Sequence, residues 1–105
     1  MSSSRARFHV GQLIVHLKWT YRGVVFDVDP IFMGTEEWYR DVALSRPPRD
    51  RPWYHVLVDG HTHTTYVAEP HLAASEDVSP VVHPLLDDQF SGFSDGRYVR
   101  RATTN

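Results

Sequence analysis

The chain has no cysteine. Disulfides, thiolate catalysis and thiolate-held zinc or iron–sulfur clusters are excluded, and the composition suits a reducing compartment. Its six glycines are isolated from one another, so there is no glycine-rich phosphate loop. No apolar run reaches the length of a membrane span, and no secretory leader follows Met1, so a cytoplasmic protein without a membrane partner is expected. A Gly-x-Ser-x-Gly elbow is missing, and the serines gather near the N-terminus or in loops. Neighbouring acids such as Glu36-Glu37 and Asp87-Asp88 point their side chains apart. With no catalytic constellation in view, a non-enzymatic protein with no cofactor and no bound metal is expected.

What is present is a single domain's worth of chain, 105 residues, with three Trp, five Tyr and five Phe. Large rings on that scale can cover both faces of a small sheet. The run Pro52-Trp53-Tyr54-His55-Val56-Leu57-Val58 is strand-forming and closes on Asp59-Gly60, a favoured hairpin turn pair. Thr62–Ala68 supplies the second arm. Upstream, Leu13, Val15 and Leu17 alternate with Ile14 and His16, which predicts a strand with the first three inward. Arg22–Pro30 predicts another, with Val24, Phe26 and Val28 on one face and Gly23, Val25 and Asp27 on the other. Gly23 suggests a bulge or a close backbone crossing, and Asp29-Pro30 ends the strand.

Between these strands, Gly34–Ser45 reads as a short helix. Thr35 is its N-cap, Trp38 and Val42 share a face, and Glu36 is paired with Arg40. Arg46–Pro52, with three prolines, reads as a stiff basic linker held off the sheet. Glu69–Ala74 reads as a helical turn, Val81-Val82 as a candidate added strand with Pro84–Phe90 as a late short helix, Gly92–Gly96 as loop, and Arg97–Val99 as a last short strand. The expected fold is mostly β: a small curled β-barrel of SH3-like type, of about five strands, with one inserted and one C-terminal helix. The folded core is expected over residues 7–99, with residues 1–6 and 100–105 flexible.

Histidine and arginine are the chemically interesting residues. Of seven histidines, His61 and His63 would share a face of an extended segment, with His55 as a third metal ligand. The competing reading is that these rings make cross-strand or capping hydrogen bonds, as a satisfied strand histidine would. Asp27 and Asp29 share a face, although Asp29 also suits a turn cap before Pro30. Ten of the eleven basic residues are Arg, whose planar guanidinium makes bidentate contacts with phosphate or carboxylate. Charge is graded along the chain. Met1–Arg22 carries Arg5, Arg7, Lys18 and Arg22 and no acid, whereas Glu69–Asp95 carries six acids and no Lys or Arg. Arg5, Arg7, Lys18 and Arg22, interleaved with Trp19 and Tyr21, are candidate DNA-contacting residues. The acids would repel phosphate unless they lie opposite that basic face.

Several segments together resemble a known family. Phe8-x-Val10-Gly11-Gln12, Tyr21–Pro30, Pro52–Val58 and Thr65-Tyr66-Val67-Ala68-Glu69-x-x-Leu72 are similar to the HspQ family of bacterial heat-shock proteins, also called the YccV-like or hemimethylated-DNA-binding domain. The Gly34–Tyr39 helix and the tail around His83-Pro84-Leu85 look like a longer variant. The resemblance implies a small curled β fold and self-association into a homo-oligomer, for which an exposed edge strand beside the hairpin is suited. It implies a non-enzymatic heat-shock role in quality control, with a Lon-type ATP-dependent protease or its substrates as partner. The alternative it implies is recognition of hemimethylated double-stranded DNA.

Overall fold

The computed structural model describes residues 5–102. In chain order the elements are β1 (Leu13–His16), β2 (Arg22–Asp29), α1 (Glu36–Asp41), β3 (Trp53–Val58), β4 (Thr64–Ala68), a 3₁₀ turn (Glu69–His71), β5 (Leu72–Ala74), α2 (Leu86–Gln89), β6 (Phe90–Ser94) and β7 (Arg97–Arg100). The first five strands form one antiparallel sheet in the order β4-β3-β2-β1-β5, and β6-β7 is a separate hairpin. The class is mostly β, with the expected inserted and late helices. The main sheet is not hydrogen-bonded shut into a barrel, because β4 and β5 are its two edges. Pro70, in the 3₁₀ turn between them, interrupts the extended backbone, and β5 crosses over to pair with β1.

Both faces of this sheet are covered, and that changes the inward–outward pattern. One face packs Phe8, Ile14, Val25, Tyr54, Val56, Val67 and Leu72 together. The opposite face is covered at one end by the C-terminal segment, through Val81, Phe90 and Tyr98 against Leu13, Val24 and Leu57. At the other end it is covered by the α1 insert, through Phe32, Trp38 and Tyr39 against Trp53 and Tyr66. In β1, Leu13 and Ile14 are therefore both buried, while Leu17 lies beyond the strand and is exposed, contrary to the alternation expected for it. In β2 the bulge falls between Val25 and Asp27. Phe26 thus joins Val24, and Val28 joins Val25 on the other side, so the expected Val24–Phe26–Val28 face is split. Gly23 is a close crossing instead: a Cβ there would lie 2.6 Å from the Leu57 carbonyl oxygen.

Other elements also depart from the sequence expectation. Thr35 does cap α1, its Oγ1 accepting from the Trp38 amide at 3.1 Å, but the helix ends at Asp41 and Val42 is exposed. The Arg46 guanidinium donates to the carbonyls of Tyr39, Arg40 and Ala43, satisfying the end of the helix. Glu36 pairs with Arg49 at 2.6 Å and 2.8 Å, not with Arg40. The proline linker is docked, not held off: Pro47 and Pro52 are buried, and the carbonyls of Pro47 and Pro48 accept from Tyr39 Oη and Trp53 Nε1. Leu72–Ala74 is strand, not helical turn, and Phe90–Ser94 is strand, not loop. The overlooked signal there was Asp95-Gly96, both at positive φ (53° and 76°), as a two-residue hairpin turn demands. Arg100 lies in β7 and Arg101 donates to the carbonyls of Asp87 and Phe90, so the tail expected to be flexible from residue 100 is anchored there. The rest of the expected flexible ends, residues 1–4 and 103–105, lies outside the described residues.

Two long-range clasps hold these layers. Glu69 Oε2 accepts from Tyr54 Oη at 2.6 Å and from the Arg7 amide at 2.9 Å, which ties the N-terminal segment to the 3₁₀ turn through β3. Burial and the adjacent carboxylate push the Tyr54 phenol well above its usual range. Gly11, at φ 92°, donates its amide to Val25 and accepts from the Tyr98 amide, joining the β6-β7 hairpin to the main sheet. A Cβ at Gly11 would lie 2.0 Å from the Tyr98 carbonyl oxygen. Gly11→Ala is therefore expected to lower stability by about 3 kcal/mol, combining left-handed backbone strain with displacement of the hairpin. Gly92→Ala, where the added Cβ meets nothing within 4 Å, is the control, and urea midpoints compare the two.

Candidate functional site

A groove of about 600 Å³ runs past β4. One wall is the β1–β2 connection, carrying Lys18 and Trp19. The other is the α1 insert, with Trp38, Val42 and Leu44. Trp19, Val42 and Leu44 are 66%, 56% and 75% exposed, an unusual concentration of large apolar side chains around one opening.

His16 builds the first wall. Its ring is buried and stacks against His71 and Tyr21, with centroids 5.8 Å and 5.2 Å away. Its Nδ1 accepts from the backbone amides of Lys18 and Trp19, both at 3.1 Å, so the ring is neutral with its proton on Nε2. This cap, with Thr20 at φ 58°, turns the chain and leaves Trp19 projecting. Burial, then the charges of His71 and Lys18, lower the His16 pKa from 6.5. Among the lining residues Tyr21 Oη and Thr65 Oγ1 lie 2.7 Å apart, and Ser45 Oγ meets His71 Nε2 at 3.1 Å.

The other histidines divide into clasps and surface. His55 Nε2 lies 3.1 Å from Asp29 Oδ2, which also accepts from Tyr66 Oη at 2.7 Å, linking β2, β3 and β4. Burial, and then the Asp29 carboxylate, push the Tyr66 phenol well up. Asp27, Asp29 and His55 offer donor atoms within 4.8 Å of one another, but the hydrogen bonds show Asp29 already engaged as a clasp. His55 is thus the satisfied strand histidine of the sequence reading, and it does not join His61 and His63, whose rings meet each other at 5.2 Å beside the Asp59-Gly60 turn. The Asp29–His55 partnership had an available signal in Pro30 and Pro52. They bracket β2 and β3 at the same end, setting Asp29 opposite Trp53 and, across the bulge, Asp27 opposite His55. His83 is buried; its Nδ1 accepts from the Leu85 amide and its Nε2 reaches the His63 carbonyl at 2.9 Å.

The four candidate DNA contacts separate. Arg5, Arg7 and Lys18 are exposed. The Arg7 amide is bound at Glu69, and the Leu17 amide at the His71 carbonyl, so the segments bearing Arg7 and Lys18 flank the two ends of the same 3₁₀ turn. Arg22 is different. Its guanidinium pairs with Asp59 at 3.2 Å and Asp77 at 3.6 Å, and donates to the carbonyls of Asp77, Ser79 and Pro80. Two of the acids expected to repel phosphate, Glu69 and Asp77, likewise have partners within the fold.

A family model described as hemimethylated DNA-binding protein YccV like matches residues 6–97. The chain belongs to the YccV-like family. The match continues past Leu72 through α2 and β6. Every residue of the groove lies inside it. The family is described by DNA binding and not by a catalysed reaction. Among the described residues no helix is long and apolar enough to cross a membrane.

The His16 cap has a pH consequence. The folded state holds the ring neutral, with a pKa below the usual 6.5, whereas the unfolded chain takes up the proton as pH falls through 6.5. The cap's stabilisation is therefore complete above 6.5 and is lost as pH falls from there towards the lowered value. Amide exchange at Lys18 and Trp19, corrected for intrinsic rates, is expected to accelerate over that window. His16→Ala should make it fast at neutral pH and remove this pH dependence.

Proposed function

We propose that the protein is a non-enzymatic accessory factor of the cytoplasm that docks a protein partner. In this reading it is induced by heat and alters which substrates a Lon-type ATP-dependent protease degrades, by binding the protease or the substrate. The observation that carries the reading is the groove beside β4, ringed by exposed Trp19, Val42 and Leu44 and lined by no acidic side chain. Apolar and aromatic surface gathered in a concavity is a protein-docking feature, whereas phosphate binding calls for exposed, unpaired cations. Self-association belongs to the same proposal, with the β5 edge of the sheet as the available surface. Purified protein is expected to change the rate or selectivity with which Lon degrades a labelled unfolded substrate. Equal degradation with and without it would sink the reading.

The second reading is binding of hemimethylated duplex DNA, favoured by the family's description. It rests on Arg5, Arg7 and Lys18, since Arg22 is engaged by Asp59 and Asp77. Reversing those three charges should weaken duplex binding tenfold or more. It should also flatten the plot of log affinity against log salt by roughly 0.9 for each phosphate left unneutralised. Arg22→Glu is expected instead to lower the urea midpoint. Electrophoretic mobility shifts on hemimethylated and unmethylated duplexes of one sequence test it, and equal affinity for the two would remove the recognition claim.

A further inference from the structure

β4 has β3 on one side and no strand on the other. Its register fixes which backbone groups are unused. The Val58 amide donates to the His63 carbonyl and the Glu69 amide to the Pro52 carbonyl. The hydrogen-bonded pairs between those points are therefore Tyr54–Val67 and Val56–Thr65, and the pairs between them are of the other kind. The amides and carbonyls of Thr64, Tyr66 and Ala68 consequently point away from β3. The Ala68 carbonyl is used by the first hydrogen bond of the 3₁₀ turn that Ala68 N-caps, and among the described residues the amides and carbonyls of Thr64 and Tyr66 make no hydrogen bond. All of β4 lines the groove, although successive side chains point to opposite faces of the sheet. A groove that touches both sets runs along the strand's edge. Ala68 is buried against Ala43 and Trp53, so Thr64 and Tyr66, spaced by two, offer a rail of about 7 Å, matching three residues of extended chain.

The lining also has a sign. Lys18, His16, His55 and His71 line the groove, and none of the chain's thirteen acidic residues does. We propose that the groove takes an extended peptide segment of another protein, added as a strand to the free edge of β4. The segment's apolar side chains rest on Trp19, Trp38 and Leu44, and an acidic side chain faces Lys18. A second copy of this chain is disfavoured by charge: pairing β4 with β4 sets one Lys18-bearing wall against another with no acid to answer it. Duplex DNA carries no alternating row of amides and carbonyls to meet the rail. The proposal deepens the protein-docking reading above and rests on it.

The test uses the full chain and a pooled set of fluorescein-labelled decapeptides alternating Val, Leu or Phe with Glu or Asp. The pool is expected to bind. On binding, the amides of Thr64 and Tyr66 should gain at least tenfold protection from hydrogen exchange, while Thr65 and Val67, already bonded to β3, and buried Ala68 change little. Leu44→Asp and Lys18→Glu, both at exposed positions, should each weaken binding at least fivefold, as should replacing the peptide acids by Lys. Methylating alternate backbone nitrogens should abolish binding in one register only. No binding, or binding without protection at those two amides, overturns the proposal. So does protection that rises with protein concentration alone, which identifies a second copy, or the same protection produced by a hemimethylated duplex. The two readings fail separately. If wild type and Leu44→Asp alter Lon degradation equally, the groove is not the docking site and the accessory role stands. If the pool binds as described while degradation is unaffected by wild type, the groove stands and the accessory role falls.

Discussion

Strand β3 is buried on both faces, and the rest of the molecule follows from that constraint. Of its six residues only His55 is not buried. Tyr54 and Val56 pack into one layer, Trp53 and Leu57 into the other. Neither set can be left to water without losing about 2 kcal/mol or more for each large side chain. A sheet of five short strands covers only one of these layers by curling on itself. The second layer needs added chain, and two separate pieces supply it: the α1 insert over Trp53 and the C-terminal segment over Leu57. The insert closes a cluster of rings over the end of the strand, with Phe32–Trp53 centroids at 4.9 Å and Trp53–Tyr66 at 5.1 Å.

The two covers also shape the surface. Because the insert leans on Trp53 and Tyr66, it stands beside β4 without pairing to it. The wall it forms and the wall capped by His16 leave the strand's edge between them. The groove is thus a by-product of how the second face of β3 is covered. The polar clasps hold the walls at fixed positions: Asp29 to His55 and Tyr66 on one side, Glu69 to Tyr54 and Arg7 on the other. The buried and half-buried donors and acceptors of these clasps satisfy one another, and no buried side-chain nitrogen or oxygen among the described residues lacks a partner.

Arginine serves the fold more than the surface charge suggests. Arg46 caps α1, Arg49 binds Glu36 and lies 3.9 Å over the Tyr39 ring, and Arg22 organises the 77–80 segment against Asp59. Each uses the planar fork that distinguishes arginine from lysine. Of the four cations before residue 23, Arg5, Arg7 and Lys18 are left facing solvent.

Some of this was legible in the sequence because it is decided by neighbours along the chain. The Asp59-Gly60 hairpin, the Thr35 cap, the end of β2 at Pro30 and the late helix all follow from side chains acting within a few residues. Faces were harder to read. One extra residue at the β2 bulge sends Val28 to the layer opposite Val24 and Phe26, and nothing local to β2 announces it. The alternation read in β1 presumed one wet face, whereas the C-terminal segment, far later in the chain, dries the other. The same holds for Arg22. By itself the sequence determined the local conformations and the family, because both are written in short runs. Only the tertiary structure decided that Arg22 is neutralised by residues 37 and 55 positions away, that Asp29 clasps His55, and that the edge of β4 opens into a groove without acids. Those outcomes depend on which distant surfaces meet, and burial and charge compensation are settled only when they do.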